Sequence, residues 1–413
     1  MKEKTTRGRS SSRVAWESLE SWARLEIEER VQELMVAEVT ELLGRQKSER
    51  RKAVDPSAGY RNGYGKARNL TMSMGTVTVR RPRVRDVEER FESRVLPLFK
   101  RRTETVSELI PELYLHGLAQ GDFDLALRGL LGDKAPLSAS TVSRLKEKWQ
   151  GEYEEWLARP LDELEVVYLW VDGVYVKAGL EKDKAAVLVA VAGLSDGTKI
   201  VLTLEAGHRE SEASWSSLLR KLKKRGLRCP RLVIGDGHLG IWAAIRNVFP
   251  EAMEQRCWNH RILNVLDRIP KKYQPQAKPL LTAIPYAETR KQCETLKAKF
   301  QEWCVRKNLP EAARVLDEDW GRMVSFLSFP KPHWQHLRTS NVAESPFAAL
   351  RLRTDAAKRF KKVDNATTVI FKLLLVAEKN FRRLNAPELM KEVYLGVRFE
   401  DGERISESKV AAA

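Results

Sequence analysis

The most informative segment of the chain is an apolar stretch that ends in an acid and a glycine, VVYLWVDG at residues 166–173. Six consecutive apolar residues, β-branched and aromatic among them, predict a buried strand over residues 165–172 that ends at Asp172. A second short apolar stretch, residues 231–235, leads in the same way to Asp236 and Gly237. A buried carboxylate is costly unless it has a partner or binds a cation, so both acids are candidate site residues.

The segments around these acids predict an α/β fold with a mixed sheet. Residues 163–260 give the order strand, strand, strand, helix, strand, helix, strand. In such a sheet the first and fourth strands are neighbours, which would bring Asp172 and Asp236 together. Each acid also has a simpler interpretation, because Asp172 could be a hairpin-turn acid and Asp236 could cap the helix that starts at Leu239.

A third candidate acid, Glu344, lies in the segment RTSNVAES at residues 338–345. The simpler interpretation is a capping box, with Asn341 as the N-cap and Glu344 three residues later. The surrounding charge favours a phosphodiester site instead, because a single acid opens a basic helix. The cations that would hold phosphates nearby are Arg338, Arg351, Arg353, Lys358 and Arg359.

Asp172, Asp236 and Glu344 are therefore predicted to be the catalytic residues and the ligands of two Mg²⁺ or Mn²⁺ ions. Hard cations of this kind prefer oxygen ligands. Two ions about 3.5–4 Å apart can activate a water or a 3′-hydroxyl and stabilise the leaving oxygen of an in-line displacement. Asp172 is the candidate for a carboxylate shared by both ions.

The charge of the chain predicts a polyanionic partner. The 413 residues include 73 Lys and Arg against 56 Asp and Glu, a net charge of +17. Residues 45–102 alone contain 17 basic and 6 acidic residues. An apolar run long enough to span a membrane and a secretory signal are both absent from the sequence, and four scattered cysteines fit a reducing bacterial cytoplasm, with the protein associated with the nucleoid.

The first part of the chain is predicted to carry DNA-binding elements. Residues 1–54 would form a basic arm followed by an amphipathic helix or helix pair, and residues 55–103 a small basic β-element. In the latter, GYRNGY at residues 59–64 is expected to be a turn-rich segment, and Arg81-Pro82-Arg83 to end a strand at residues 76–80. A solvated hairpin is the alternative. The side chains expected on DNA are Tyr60, Arg61, Asn62, Tyr64, Arg80, Arg81 and Arg83.

Residues 104–160 predict three helices, which could form a helix-turn-helix or an ordinary three-helix bundle. The helices are expected near residues 106–118 and 123–131 and after the Ser and Thr residues at 138–141. In the helix-turn-helix case, Arg144 and Lys146 would contact DNA.

Together these motifs resemble the Mutator-type transposases of bacterial insertion sequences. The matching stretches are GYRNGY at 59–64, Asp172-Gly173, Gly235-Asp236-Gly237, QRCWNH at 255–260 and RTSN at 338–341 leading to Glu344. The resemblance implies an RNase H-like catalytic core over residues 161–260, an all-α insertion over 261–337 and core helices over 338–395. The sequence itself predicts a helix from Asn341 to about residue 360, another near residues 366–383 and a frayed tail over residues 396–413. The resemblance also implies that the family's catalytic acids correspond to Asp172, Asp236 and Glu344. The sequence departs from the family pattern at Gly235, where serine is common, and at Leu263, where the family usually has a basic residue.

The QRCWNH stretch contains a Cys-x-x-His pair, Cys257 and His260. Zinc needs about four ligands, and no second Cys or His pair is close in the sequence. The resemblance implies a structural or DNA-strand role beside the site, and not a zinc centre. Trp258 could stack on an exposed base or lie in the core.

The resemblance predicts a transposase that binds the terminal inverted repeats of its element and target DNA, cuts the ends and joins the freed 3′-hydroxyls to new DNA. A homodimer or larger assembly is expected, because two ends must be brought together. Two alternatives stay open: a structure-specific DNA endonuclease, and a domesticated DNA-binding protein without catalysis.

Overall fold

The computed structural model describes residues 16–49, 59–118, 122–132, 135, 139–178, 185–207, 211–237, 239–356, 360 and 362–405. The chain divides into two compact units, residues 1–145 and residues 146–413. None of the helices in the described ranges combines the length and the apolar character that a bilayer crossing requires.

The first unit begins with one long helix, α1 (Leu19–Leu43), after a short 3-10 turn at Trp16–Ser18. Of the two predicted forms, the single helix is the one observed. It ends at Gly44, whose φ of 61° is the left-handed conformation that glycine adopts most easily at a helix end. Met35 of this helix is buried in a small apolar cluster with Val77 and Val79.

A long antiparallel hairpin follows, formed by β1 (Tyr60–Met72) and β2 (Gly75–Arg85). Side chains of α1 satisfy the outer edge of β2: Glu28 accepts from the backbone N–H of Thr78, and Gln32 bonds both backbone groups of Arg80 at 2.9 Å. Since a bare strand edge invites pairing with another chain, this arrangement protects the hairpin.

The hairpin corrects two predictions about residues 59–83. The GYRNGY stretch is not a turn but the start of β1, and β2 continues past Pro82 to Arg85. Pro82 is tolerated because it pairs with Tyr64 between two shifts of register, where the ladder of hydrogen bonds is already interrupted. Gly63, with a φ of 62°, accommodates the irregularity on the facing strand.

Three helices complete the N-terminal half, as predicted: α2 (Glu104–Leu115), α3 (Phe123–Leu131) and α4 (Ala139–Ala158), the last of which crosses the boundary between the two units. Tyr114 of α2 stacks on Phe123 of α3 with ring centroids 6.2 Å apart. The helix-turn-helix interpretation of these helices stays a prediction.

The second unit is built on a mixed five-stranded sheet with the order β5-β4-β3-β6-β7. Its strands are β3 (Val166–Val176), β4 (Ala185–Leu194), β5 (Lys199–Gly207), β6 (Leu232–Gly235) and β7 (Met253–Arg256). β3, β4 and β5 form an antiparallel meander, and β6 and β7 run parallel to β3. The predicted pairing of the first and fourth strands is confirmed.

Side-chain alternation gives the sheet two distinct faces. On one face, Leu169, Val171 and Val233 pack in a large apolar cluster with α5 (Glu212–Lys224) and α6 (Leu239–Val248). On the other face, Tyr168 and Trp170 contact the region around residues 329–336, where the indole N–H of Trp170 donates to the carbonyl of His336 at 2.9 Å. Strand positions alternate strictly between faces, so Asp172 belongs to the second face.

Residues 261–337, every one of which the structure describes, contain helices and no strand, as the insertion was predicted to do. The helices are α7 (Trp258–Leu266), α8 (Gln274–Ala283), α9 (Arg290–Arg306), α10 (Pro310–Asp317), α11 (Trp320–Met323) and α12 (Trp334–Leu337), with 3-10 turns at Lys271–Tyr273, Ile284–Tyr286, Ser325–Ser328 and Lys331–His333.

The C-terminal part corrects two further predictions. The helix expected from Asn341 to about residue 360 is split into α13 (Asn341–Glu344) and α14 (Phe347–Ala356), with Pro346 at the break. After α15 (Val363–Glu378) and α16 (Pro387–Leu395), the segment expected to fray forms a small hairpin, β8 (Phe399–Glu400) and β9 (Glu403–Arg404). Phe399 is buried there, which explains why the segment is ordered.

Candidate active site

Asp172 lies within a strand and not at its end, contrary to the sequence-based prediction. β3 continues to Val176 because β4 keeps pairing with it, and Asp172 stands opposite Val189. The hairpin-turn interpretation is excluded for the same reason. The carboxylate is half-buried and accepts a hydrogen bond from the backbone N–H of Gly173 at 2.7 Å.

Asp236 is the first residue after β6, and extending the register between β3 and β6 by two residues places it opposite Asp172. The parallel register pairs Trp170 with Ile234. Asp172 follows Trp170 by two residues, and Asp236 follows Ile234 by two residues. A Cβ built on Gly235 would stand 3.3 Å from Cγ2 of Val171, which confirms that the strands stay adjacent at this point. Parallel neighbours are about 4.8 Å apart, and paired positions point to the same face.

Arg256 packs directly on the glycine that follows this second acid. Gly237 has a φ of 97°, and a Cβ built there would lie 2.1 Å from Nε of Arg256. The guanidinium therefore fills the space that a larger side chain would need. Arg256 is a residue that sequence reasoning did not single out as functional, although it lies within the QRCWNH motif.

An ion network in the insertion holds Arg256 in place. Nη1 of Arg256 lies 2.7 Å from Oδ2 of Asp319, the residue that precedes α11. The same carboxylate pairs with Arg322 and lies 3.3 Å from Arg261, which is 1% exposed. Burial, together with the positive charge of Arg256, lowers the pKa of Arg261 to about 10. The insertion is thus connected to the loop after Asp236 through one carboxylate.

Glu344 ends α13, a four-residue helix that packs against β3 and β4. The capping box predicted as its simpler role is not formed, because the helix starts after Ser340 and the carboxylate bonds no N–H of the cap. Instead the Ser340 hydroxyl donates to Oε1 of Glu344. Asn341, the predicted cap, accepts a hydrogen bond from the Asn259 amide at 3.1 Å.

His260 stands between Glu344 and the second aspartate. Its Nδ1 lies 3.7 Å from Oε1 of Glu344. The pKa of His260 is raised to about 9, first by its polar contact with the Cys257 side chain and then by the negative charges of Glu344 and Asp236. The imidazole is therefore a cation at neutral pH, and it compensates part of the negative charge of the site.

Across the described residues, the one group of three possible ligands whose donor atoms all lie within 4.8 Å of one another is Cys257, His260 and Glu344. The two aspartates do not join that group. Carboxylates repel one another when no cation lies between them, and in this state Glu344 is bound to Ser340 and the His260 cation. The structure thus adds Ser340 to the site; it lies within the RTSN motif at 338–341, but the sequence-based prediction gave it no role.

Trp258, for which two roles were open, is a core residue. Its indole is 1% exposed, donates to the carbonyl of Met323 at 2.7 Å and meets Trp320 edge-on with centroids 6.1 Å apart. It is not available for stacking on a base in this structure.

In the first unit, the predicted DNA-contacting side chains differ in how they are held. Arg61 is engaged with α1, bonding the Thr40 hydroxyl at 2.8 Å and the Arg45 carbonyl at 2.9 Å. Tyr60 packs under two guanidiniums, those of Arg45 and Arg85. The exposed members of the set are Tyr60, Asn62, Tyr64, Arg80 and Arg83, while Arg81 is half-buried.

The cations predicted around Glu344 also differ in their exposure to solvent. Arg338 is enclosed by the rings of Tyr286, Phe326 and Trp334 at 4.8–5.5 Å, and burial lowers its pKa. Arg353 is 3% exposed, whereas Arg351 is exposed. Lys358 and Arg359 lie outside the described residues. In α4, Arg144 is exposed and Lys146 is half-exposed.

Over residues 4–383 the chain matches the family described as "Transposase, Mutator family". The chain therefore belongs to the Mutator family of transposases, enzymes that cut and join DNA. It is 41% identical over 297 residues to the transposase for insertion sequence element IS6120 of Mycolicibacterium smegmatis, covering 72% of this chain and 92% of the relative. It is 37% identical over 279 residues to the transposase for element IST2 of Acidithiobacillus ferrooxidans, covering 67% of this chain and 94% of the relative.

A solved structure described as the Drosophila P element transposase strand transfer complex aligns with 70% of this chain and 83% of its own, at 13% identity and a TM-score of 0.29. A likeness at that level carries no argument about this protein.

Proposed function

We propose that this protein is the transposase of a bacterial insertion sequence, which binds the terminal inverted repeats of its element and catalyses metal-dependent strand cleavage and 3′-hydroxyl strand transfer. The family membership and the insertion-sequence relatives support this proposal. The observation that carries the catalytic part is the adjacency of Asp172 and Asp236 on β3 and at the end of β6, with the short helix of Glu344 against the same sheet.

We further propose that the sheet and its helices form an RNase H-like core. An antiparallel three-strand meander extended by two parallel strands, in the order β5-β4-β3-β6-β7, supports it. The order puts the first strand in the middle of the sheet, so its acid can meet residues from both the fourth strand and a later helix.

Asp172, Asp236 and Glu344 are proposed to be the catalytic acids and to hold two Mg²⁺ or Mn²⁺ ions. The donor set fits such ions, because all three residues offer hard oxygen ligands, with Asp172 on β3 and Asp236 directly after the neighbouring strand β6. The ions, when bound, supply activation of the attacking hydroxyl and stabilisation of the leaving oxygen. The protein contributes the positions of the acids, with Ser340 and His260 restraining Glu344 before the metal binds.

DNA contact is proposed for the basic hairpin, the α4 region and the cations near Glu344. On the hairpin, Arg80 and Arg83 present exposed guanidiniums, and Tyr64 offers an exposed ring nearby. Phosphate contacts of this kind position a protein on DNA and give binding its salt dependence. A homodimer or larger assembly is proposed, since two element ends must be held together.

The test is a cleavage and joining assay with labelled DNA from the ends of the element and Mg²⁺. Wild type should cut the ends and should join donor DNA whose 3′ ends are already exposed. Asp236→Asn and Glu344→Gln should lose both reactions while keeping DNA affinity, and the exposed acid Glu302→Gln in α9 is the matched control that should keep them.

Three outcomes decide against parts of the proposal. Cutting without joining of the pre-exposed ends would make the protein an endonuclease. Binding without cutting by wild type would favour a DNA-binding protein without catalysis. Equal cutting by wild type, Asp236→Asn and Glu344→Gln would remove these acids from the reaction.

A further inference from the structure

Three different metal-binding groups converge between the start of α7 and the end of α13. The thiol of Cys257, the imidazole of His260 and the carboxylate of Glu344 each have a donor atom within 4.8 Å of the other two. Around a tetrahedral zinc ion, with bonds of about 2.0–2.3 Å, such atoms stand about 3.4–3.6 Å apart. The separation of 3.7 Å between Nδ1 of His260 and Oε1 of Glu344 is close to that value.

Two of these three side chains accept hydrogen bonds from neighbouring groups, as metal ligands usually do. The backbone N–H of Ser340 donates to Sγ of Cys257 at 3.3 Å, and the Ser340 hydroxyl donates to Glu344. Contacts of this kind orient ligands and tune their affinity. Nδ1 of His260, by contrast, is buried and makes no well-formed hydrogen bond to any described residue, so it can bind a metal ion once its proton is released to solvent.

The chemistry of the donor set separates this group from the magnesium ligands. A thiolate and an imidazole favour zinc and similar soft or borderline ions over Mg²⁺. Cys257 is fully buried, whereas the side chains of His260 and Glu344 are 37% and 29% exposed, so an ion would enter from their side. Three protein ligands leave a fourth tetrahedral position for water.

We propose that Cys257, His260 and Glu344 form a binding site for a thiophilic divalent cation, Zn²⁺ in the first place, and that an ion bound there withdraws Glu344 from the two aspartates and inhibits the enzyme. The binding site stands on geometry alone. The inhibition rests on the proposed function, because it requires Glu344 to be a catalytic acid.

Binding is tested with Co²⁺, which reports a thiolate ligand by a sulfur-to-cobalt charge-transfer absorption. The wild-type protein should bind one Co²⁺ per chain with this absorption and lose it when Zn²⁺ is added. Cys257→Ser should lack the band, and Cys304→Ser, which removes another fully buried thiol, should keep it. If Cys257→Ser does not fold, His260→Asn, at a half-exposed position, replaces it and should bind Co²⁺ more weakly by about tenfold or more.

A wild-type protein without the charge-transfer band would overturn the site. A band that survives in Cys257→Ser and disappears in Cys304→Ser would do the same, because the thiolate would then come from elsewhere.

Inhibition is tested by adding Zn²⁺ to the Mg²⁺-dependent cleavage of element-end DNA, with each variant compared to its own zinc-free rate. Zn²⁺ should inhibit wild type and Cys304→Ser, and Cys257→Ser should need at least about ten times more Zn²⁺ for the same inhibition. Equal inhibition of all three would refute the inhibitory role and leave the Co²⁺ result standing. Absence of any Mg²⁺-dependent cleavage would refute the proposed function instead, since the Co²⁺ band does not depend on activity.

Discussion

Replacing Asp319 by asparagine should destabilise the second unit far more than the loss of an ordinary surface ion pair. The carboxylate of Asp319 contacts Arg256 at 2.7 Å and Arg261 at 3.3 Å and also pairs with Arg322. Asparagine keeps the shape and removes the charge. Three guanidiniums, one of them 1% exposed, would then face one another without their shared anion.

The size of this loss depends on the hydrogen bonds and ion pairs that the arginines retain without the Asp319 carboxylate. Removing one partner from a buried ion pair costs about 3–5 kcal/mol. Arg261 retains hydrogen bonds to the carbonyls of Val315 at 2.6 Å and Glu318 at 2.7 Å, and Arg322 retains Glu254, so the lower end applies. We expect a loss of about 3 kcal/mol in the free energy of unfolding, which for a unit of this size lowers the unfolding midpoint by about 6–12 °C.

Thermal unfolding followed by circular dichroism measures this loss. An exposed ion pair with a similar N–O distance provides the control. The charged atoms of Glu311 and Arg314 lie 2.8 Å apart, close to the 2.7 Å between Asp319 and Arg256, but their side chains are 62% and 59% exposed. Glu311→Gln should leave the midpoint within experimental error, because water and salt already screen such a pair. The contrast separates a largely buried carboxylate shared by three arginines from an exposed carboxylate paired with one.

A double-mutant cycle tests whether the ion network stabilises this region. Asp319→Asn combined with Arg256→Met should show a coupling energy of about 1–3 kcal/mol, because the two side chains share one contact. If the two effects simply add, or if Asp319→Asn unfolds with the wild-type midpoint, the network does not stabilise this region and the reasoning fails.

Three further changes give predictions near and away from the acids. Gly237→Ala should lower cleavage about tenfold or more, because its Cβ would meet a guanidinium at 2.1 Å and its φ of 97° suits glycine, whereas Gly235→Ala should lower it less, because its Cβ would meet a Val171 methyl at 3.3 Å without backbone strain; single-turnover rates compare them. Ser340→Ala should lower the Mg²⁺ concentration for half-maximal cleavage about tenfold, since Glu344 loses the resting hydroxyl partner that the ions would have to displace; an unchanged Mg²⁺ titration would count against that role. Arg80→Ala should weaken binding to all DNA sequences alike and reduce the salt slope by about one, which fluorescence anisotropy at several salt concentrations can measure.

The sequence predicted the sheet better than it predicted where the strands end. The apolar stretches at 166–171 and 231–235 specify buried strands by themselves, and the order of elements then makes β3 and β6 neighbours. The end of β3 was predicted wrongly because it depends on pairing: β4 continues along Asp172, so the strand does not stop where its apolar run stops. A polar residue inside a strand is stable when the neighbouring strand supplies the backbone partners.

The hairpin of the first unit also shows that local sequence does not determine where strands end, because residues that usually indicate turns lie within its strands. Its sequence between residues 59 and 85 has glycines and a proline that usually indicate turns, yet these residues lie within strands. The edge bonds from Glu28 and Gln32 of α1 come from residues about 50 positions away in the chain, so local patterns could not reveal them.

The candidate acids themselves could be found from the sequence, because an acid in an apolar context is unusual in a short window. The residues that restrain them could not. Ser340 bonds Glu344 only because the helix begins one residue earlier than the capping-box pattern suggests, and Arg256 reaches Gly237 only because Asp319, 63 residues away, orients it. Both contacts depend on side-chain positions that the fold alone determines.

The same contacts suggest how the site stays folded without a cation. Two aspartates on adjacent strands repel each other, and a third carboxylate beside them would add to that repulsion. The fold keeps Glu344 on a separate four-residue helix, paired with the Ser340 hydroxyl and the His260 cation. The aspartates are thus fixed by the sheet, whereas the glutamate has a resting partner that a metal ion must displace. In the proposed mechanism, this division lets one residue of the site, Glu344, serve two alternative ligand sets, one of hard oxygens and one with sulfur and nitrogen.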